Sequence, residues 1–277
     1  VEVMAKGNEV ALKATDNVVA LQASTGFESF VGLGVEELTT QDMAIPFLRV
    51  LAQLSPQVNK RDGAYVKDAE PGMIYNTVAN EVYSGEQGIT VIPCRYSMRQ
   101  VEWKPREKGG GYVNSYHGED PITKTTRKDD RGQDVLPNGN LLTRTAQWFV
   151  LLLHPENGPQ RCLITMSSTQ LKKSRNWVTM TQSVMGRNKN GSFVMPIMSQ
   201  FYTLRTTEER NDKGSWFGWD IVRIGQLDIG TEENGWQGKD SELLQMGVTF
   251  SKAVASGDVK VKEDNVESHD SDDAAPF

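Results

Sequence analysis

A mainly β chain with a few helices, an α+β fold, is what the sequence predicts, and three observations predict it. Two long runs rich in β-branched and aromatic residues, Ile89 to Trp103 and Leu141 to Leu153, read as strands. A helical pattern from about Ser168 to Met185 follows a third run, Arg161 to Met166. Two further runs, Met198 to Arg210 and Ser215 to Leu227, flank Asn211-Asp212-Lys213-Gly214, a strong hairpin turn signal. The resulting order is strand, strand, strand, helix, strand, strand, which is that of an OB-fold-like five-stranded barrel. Any mixed sheet with one intervening helix gives the same order.

The elements follow along the chain. Residues 1–40 mix small, polar and apolar types without a sustained period and read as a flexible N-terminal arm. From Asp42 to Leu54, Ile45, Phe47, Leu48, Leu51 and Leu54 outline an amphipathic helix that Pro46 and Ser55-Pro56 restrict to about two turns. Short strands are expected at Ala64 to Val66, Met73 to Val78 and Glu81 to Tyr83, with a turn near Ala79-Asn80. Pro93 marks an edge or bulge in the first long strand. Residues 104–139, with Gly109-Gly110-Gly111, read as a long mobile loop. Ser167 or Ser168 caps the central helix, whose apolar positions include Leu171, Val178, Met180 and Val184. A last helix, about Ser241 to Ala255, presents Leu243, Leu244, Phe250 and Val254 to the barrel, and a tail departs at Gly257. The expected organisation is an arm over 1–40, one OB-like nucleic-acid-binding domain over 41–256 that includes the long loop, and a disordered acidic tail over 257–277.

Charge is unevenly distributed. The chain of 277 residues carries a formal charge of −6, and the segment Glu263 to Phe277 alone supplies six carboxylates with no Lys or Arg, so the body is neutral. No run of apolar residues is long enough to span a bilayer and no leader pattern is visible, which points to the cytoplasm, the host cytoplasm for a phage-encoded chain. Cys94 and Cys162 sit in apolar runs without C-x-x-C spacing and read as reduced core thiols.

Within the neutral body, Asn157 to Thr207 contains no Asp or Glu but holds Arg161, Lys172, Lys173, Arg175, Arg187, Lys189 and Arg205. Phosphate neutralisation by Lys and Arg supplies most non-specific nucleic-acid affinity, and a nearby carboxylate subtracts from it. Trp177, Phe193, Phe201 and Tyr202 interleave with those charges, as bases need stacking platforms. The alternative reading of Trp177 is a core anchor holding the helix to the sheet, and that of Lys172 and Lys173 a solvated helix face. Gly186 to Gly191 reads as a mobile phosphate-contacting loop. Alternation places Arg95, Arg99 and Trp103 on one side of the first long strand, and Arg144 with Trp148 on one side of the second. A buried Trp148 within the apolar run after it is the competing reading. The nucleic-acid candidates are therefore Arg95, Arg99, Trp103, Arg144, Trp148, Lys172, Lys173, Arg175, Trp177, Arg187, Lys189, Phe193, Tyr202 and Arg205. Three scattered histidines, His117, His154 and His269, assemble no zinc site or triad, acidic pairs fall at turns, and no phosphate-binding loop motif occurs. No enzyme, metal or cofactor is expected.

The C-terminal residues Asp272, Asp273, Ala274, Ala275, Pro276 and Phe277 complete the pattern. This stretch resembles the acidic tip of bacterial and phage single-stranded DNA-binding proteins, which end in aspartates, small residues and Pro-Phe. The resemblance implies a non-catalytic, sequence-independent binder that protects single-stranded DNA during replication or recombination. It also implies recruitment of partner proteins through Asp272, Asp273, Pro276 and Phe277. The chain lacks the short body and the Gly- and Gln-rich linker of the bacterial proteins, so tetramer formation is not carried over, and a homo-oligomer stays open. A recombination protein that anneals strands or loads a recombinase shares the same features, and a metal-dependent nuclease is the third alternative.

Overall fold

The computed structural model describes residues 33–37, 44–212, 214–232, 234–259 and 261. Most of the N-terminal arm and of the acidic tail lies outside the described residues. In chain order the elements are β1 (Leu48–Val50), β2 (Ile74–Asn76), β3 (Glu81–Tyr83), β4 (Ile89–Trp103), β5 (Tyr112–His117), β6 (Arg127–Lys128), β7 (Asp134–Val135), β8 (Leu141–His154) and β9 (Gly158–Ser167). Then come α1 (Leu171–Gln182), β10 (Met185–Asn188), β11 (Gly191–Val194), β12 (Gln200–Asn211), β13 (Gly214–Gln226) and α2 (Ser241–Ser256).

The fold is mainly β with two helices, built on a curled antiparallel half-barrel sheet. Its backbone runs β13-β12-β4-β8, with β9 on the far edge of β8 and β5 on β4, while β7 and β6 extend from β8. Strand β4 bends at a bulge between Pro93 and Arg95, where proline cannot donate to the ladder.

The sheet departs from the expected five-stranded barrel. It has eight strands, and among the described residues no ladder joins β9 to β13. Strand β1 stands in that gap instead: Phe47 bridges Leu163 in parallel, and the Leu163 N–H donates to the Pro46 carbonyl at 2.8 Å. On the β13 side the Trp219 N–H donates to Gln170 Oε1 at 3.1 Å. The helix expected over 42–54 is thus corrected to a strand. Leu48 and Phe47 are both buried, in clusters on opposite faces of the sheet, a period of two rather than 3.6.

The expected loop over 104–139 is also more ordered than its composition implies, since it carries β5, β6 and β7. Glu102, at the end of β4, holds it down. Its buried carboxylate accepts from Tyr116 Oη at 2.6 Å, Asn138 Nδ2 at 2.9 Å and Asn140 Nδ2 at 2.6 Å. Burial works to raise the Glu102 pKa, but the bonds from Tyr116, Asn140 and Asn138 outweigh it and leave the carboxyl below its ordinary range.

Each face of the sheet buries its own core. On the face packed by α1, Trp148 stacks on Trp177 with ring centroids 4.0 Å apart and 20° between planes, and the Trp148 indole donates to Ser174 Oγ at 2.9 Å. Val150, Leu152, Tyr202, Leu204 and Trp219 join that cluster, with Leu48 and Ile74 from the small β1-β2-β3 sheet. On the opposite face α2 packs Phe250 edge-on to Phe149, with Ile92, Cys94, Leu151 and Leu163 around them. A Cβ at Gly247 would meet Cys94 Sγ at 3.4 Å, an ordinary van der Waals contact, so this helix position faces β4 at normal packing distance. Both cysteines are buried and free, and burial pushes each thiol pKa up to about 12. Among the described residues no helix is long and apolar enough to cross a membrane.

Candidate nucleic-acid interface

Residues directly opposite in a ladder share a face, so the registers of β5, β4, β8 and β9 place every side chain of the sheet. On the α2 face, beyond the apolar cluster under the helix, His117, Arg99, Thr145 and Ser167 form one row across four strands, about 14 Å wide at ordinary strand spacing. Ser97, Gln147 and Thr165 form the next row, and the Ser97 hydroxyl donates to Gln147 Oε1 at 3.2 Å. Arg95 follows, opposite Phe149, where the apolar cluster begins. The two arginines are half-buried, as are Ser97, Thr165 and Ser167, while Thr145 and Gln147 are buried and support the accessible hydroxyls from within the sheet.

The electrostatics of this patch follow from what the strands omit. Across β4, β8 and β9 the sole carboxylate is Glu102. It pairs with Leu142 in register, on the α1 face, and its oxygens are already occupied by three donors. Arg95 and Arg99 make no ion pair among the described residues. A cationic face without carboxylates, lined by groups that both donate and accept, suits a phosphate backbone.

Other expected site residues are dispersed. Trp103 shares the α2 face with Arg95 and Arg99 but is partly buried and meets Tyr112 edge-on at 6.0 Å. Arg144 and Trp148 fall on the opposite face, since Arg144 pairs with Gln100 and Trp148 with Tyr96. Trp148, Trp177 and Tyr202 are each 0% exposed, which corrects their assignment as stacking platforms: they form the α1-side core. Lys173 is drawn into an ion pair with Glu209 at 2.6 Å, so its charge is already neutralised. Lys172 and Arg175 are exposed on α1, and the Arg175 Nε–H donates to the Leu171 carbonyl at 3.4 Å. Arg205 is exposed on β12 opposite Asp220 of β13.

The glycine-flanked segment expected as a loop forms a separate two-stranded sheet, β10-β11, carrying Arg187, Lys189 and Phe193, all exposed. The partner-binding candidates Asp272, Asp273, Pro276 and Phe277 lie outside the described residues. Sequence reasoning missed His117, Thr145, Gln147, Thr165 and Ser167. The signal was present as polar residues alternating with apolar ones in β8 and β9, but it becomes a patch only once the register is known. Among the described residues no group of His, Cys, Asp or Glu is placed to hold a metal ion.

The model of the family described as Pam3 phage gp34-like protein matches residues 14–260. No curated protein and no solved structure matches the chain.

Proposed function

We propose that this chain, which belongs to the Pam3 phage gp34-like protein family, is a non-catalytic, sequence-independent single-stranded DNA-binding protein of phage replication or recombination. The observation that carries the reading is the α2 face of β5, β4, β8 and β9: Arg95 and Arg99 lie among the partly exposed hydroxyls of Ser97, Thr165 and Ser167, with Thr145 and Gln147 buried between them, and the only carboxylate of the three long strands is turned to the other face. Such a face holds phosphates by charge and sugars by hydroxyl contacts, without selecting bases.

The connectivity supports an OB-type reading of the half-barrel. Taken in chain order, β4, β8, β9, β12 and β13 lie side by side as fifth, fourth, first, second and third, with α1 between the third and fourth strands. In this reading β1 takes the place of a direct closure between β9 and β13. The acidic C-terminal tip, through Asp272, Asp273, Pro276 and Phe277, recruits replication or recombination proteins, and the site of action is the host cytoplasm.

The test is a salt titration of the full chain with fluorescent oligo-dT and with a duplex of equal length. Tighter binding to oligo-dT, with affinity falling steeply as salt rises, is the expected result. Equal affinity for the two, or no salt dependence, overturns the reading. Timing the pairing of complementary strands with the protein present separates a binder, which leaves the rate unchanged, from an annealing protein, which raises it.

A further inference from the structure

The β10-β11 hairpin is an unusual feature of the fold. Its two strands pair only with each other, and nearly every residue on them is exposed. It nevertheless carries large apolar side chains: Met185 is 57% exposed, Val194 45% and Phe193 41%. Phe193 lies directly across from Gly186, and a Cβ on Gly186 would sit 2.6 Å from the Phe193 ring. The ring therefore lies, beside Met195 Sδ, over the bare glycine backbone of the opposite strand, held in place yet still partly open to solvent. Arg187 and Lys189 follow on the same hairpin, neither in an ion pair among the described residues, and no carboxylate occurs from Asn157 to Thr207.

Register turns Arg187, opposite Ser192, to the other face of the ribbon from Phe193, and Lys189 lies in the turn at its tip. A ring on one face with uncompensated cations at the tip and on the far face fits a ligand that is both aromatic and anionic and crosses the hairpin. We propose that the hairpin is the element that distinguishes single from double strands: an unpaired base stacks on Phe193 while phosphates of the same strand meet Lys189 at the tip and, as the strand crosses the ribbon, Arg187 on its far face. The inference rests on the DNA-binding reading above and divides the work within it. Phosphates are equally available on single and double strands, so the α2 face supplies affinity to both. An unpaired base is available only on a single strand, so the ring adds affinity there alone. A second copy of this chain, or an acidic protein segment, is the other kind of occupant such a hairpin could take.

The experiment compares the full chain with Phe193→Ala, Phe193→Trp and the double variant Arg187→Ala/Lys189→Ala, using oligo-dT, a matched duplex, and an oligonucleotide carrying 2-aminopurine. Phe193→Ala is expected to weaken oligo-dT binding roughly 5- to 100-fold, to leave duplex binding unchanged, and to abolish the 2-aminopurine quench. Phe193→Trp restores all three, and the Arg187/Lys189 variant lowers the salt slope while keeping the quench. If the unmodified chain prefers single strands and Phe193→Ala keeps that preference, the hairpin assignment is wrong and the DNA-binding reading stands. If the unmodified chain has no such preference, both fall. Sedimentation without DNA supplies the remaining control. A change of oligomeric state in Phe193→Ala makes the hairpin a contact between copies and overturns the assignment, whereas an unchanged state agrees with it.

Discussion

Over residues 95–99 of β4 and 145–148 of β8 the two faces are built from alternate residues of the same strands, yet one is apolar and the other polar. Tyr96, Met98, Ala146 and Trp148 project toward α1 and join its apolar cluster; Arg95, Ser97, Arg99, Thr145 and Gln147 project the other way, where Ser97 bonds to Gln147. The lesson concerns aromatic residues. In this chain the tryptophans nearest the basic segments hold the sheet to its helix, while the groups proposed to meet phosphate are arginines and hydroxyls on the reverse side.

That contrast can be broken most forcefully at Trp148. Replacing it with alanine removes a fully buried indole, its stack on Trp177 and its bond to Ser174, and is expected to cost about 3–5 kcal/mol, read as a lower urea midpoint. A stable variant with reduced DNA affinity would instead put Trp148 on the binding face. Glu102→Gln tests whether the one carboxylate of the long strands is masked. An amide keeps one oxygen for Asn138 and Asn140 but turns N–H donors toward Tyr116 and gives up the charge that strengthens all three bonds, and a loss of roughly 1.5–3 kcal/mol is expected with no gain in DNA affinity. Tighter DNA binding by that variant would show that the carboxylate repels the strand.

The same residue carries a pH signature. Because folding lowers the Glu102 pKa below its ordinary value of 4.5, its contribution is full above that value and is lost as pH falls through the folded pKa. Protection of the amides of β5 and β7, taken relative to their intrinsic exchange rate at each pH, is expected to fall in that acid window for the native chain, and not further for Glu102→Gln. The smallest effect belongs to Lys173→Ala. Its partly exposed ion pair with Glu209 is worth about 1 kcal/mol or less. Since Glu209 already neutralises the lysine, the salt slope for DNA is expected to stay the same; a reduced slope would return Lys173 to the interface.

Much of the frame was legible because long strands announce themselves. The run Ile89 to Trp103 is a strand over the same residues, the hairpin turns at Asn211 to Gly214, and the two helices begin and end within a few residues of their periodic patterns. Short elements were harder to read. Strand β1 mimicked a helix because Leu48, Leu51 and Leu54 share a helical spacing, and what decides its period is the gap between β9 and β13, a tertiary fact. The β5-β7 excursion and the β10-β11 hairpin sit in polar, glycine-rich sequence whose strands are held by partners rather than by propensity. Of the candidate site, Arg95 and Arg99 followed from alternation alone. Their opposite faces from Arg144 and Trp148, and the burial of Trp177 and Tyr202, depended on register and packing that no single strand reveals.

The most direct test of the polar face is the salt slope of oligo-dT binding by Arg95→Ala/Arg99→Ala against the unmodified chain. Each lost phosphate contact is expected to reduce the slope by about 0.7, so the double variant should bind more weakly with a slope lower by about 1.4 and an unchanged urea midpoint. Equal affinity and equal slope in the folded variant would contradict the assignment of this face to the strand.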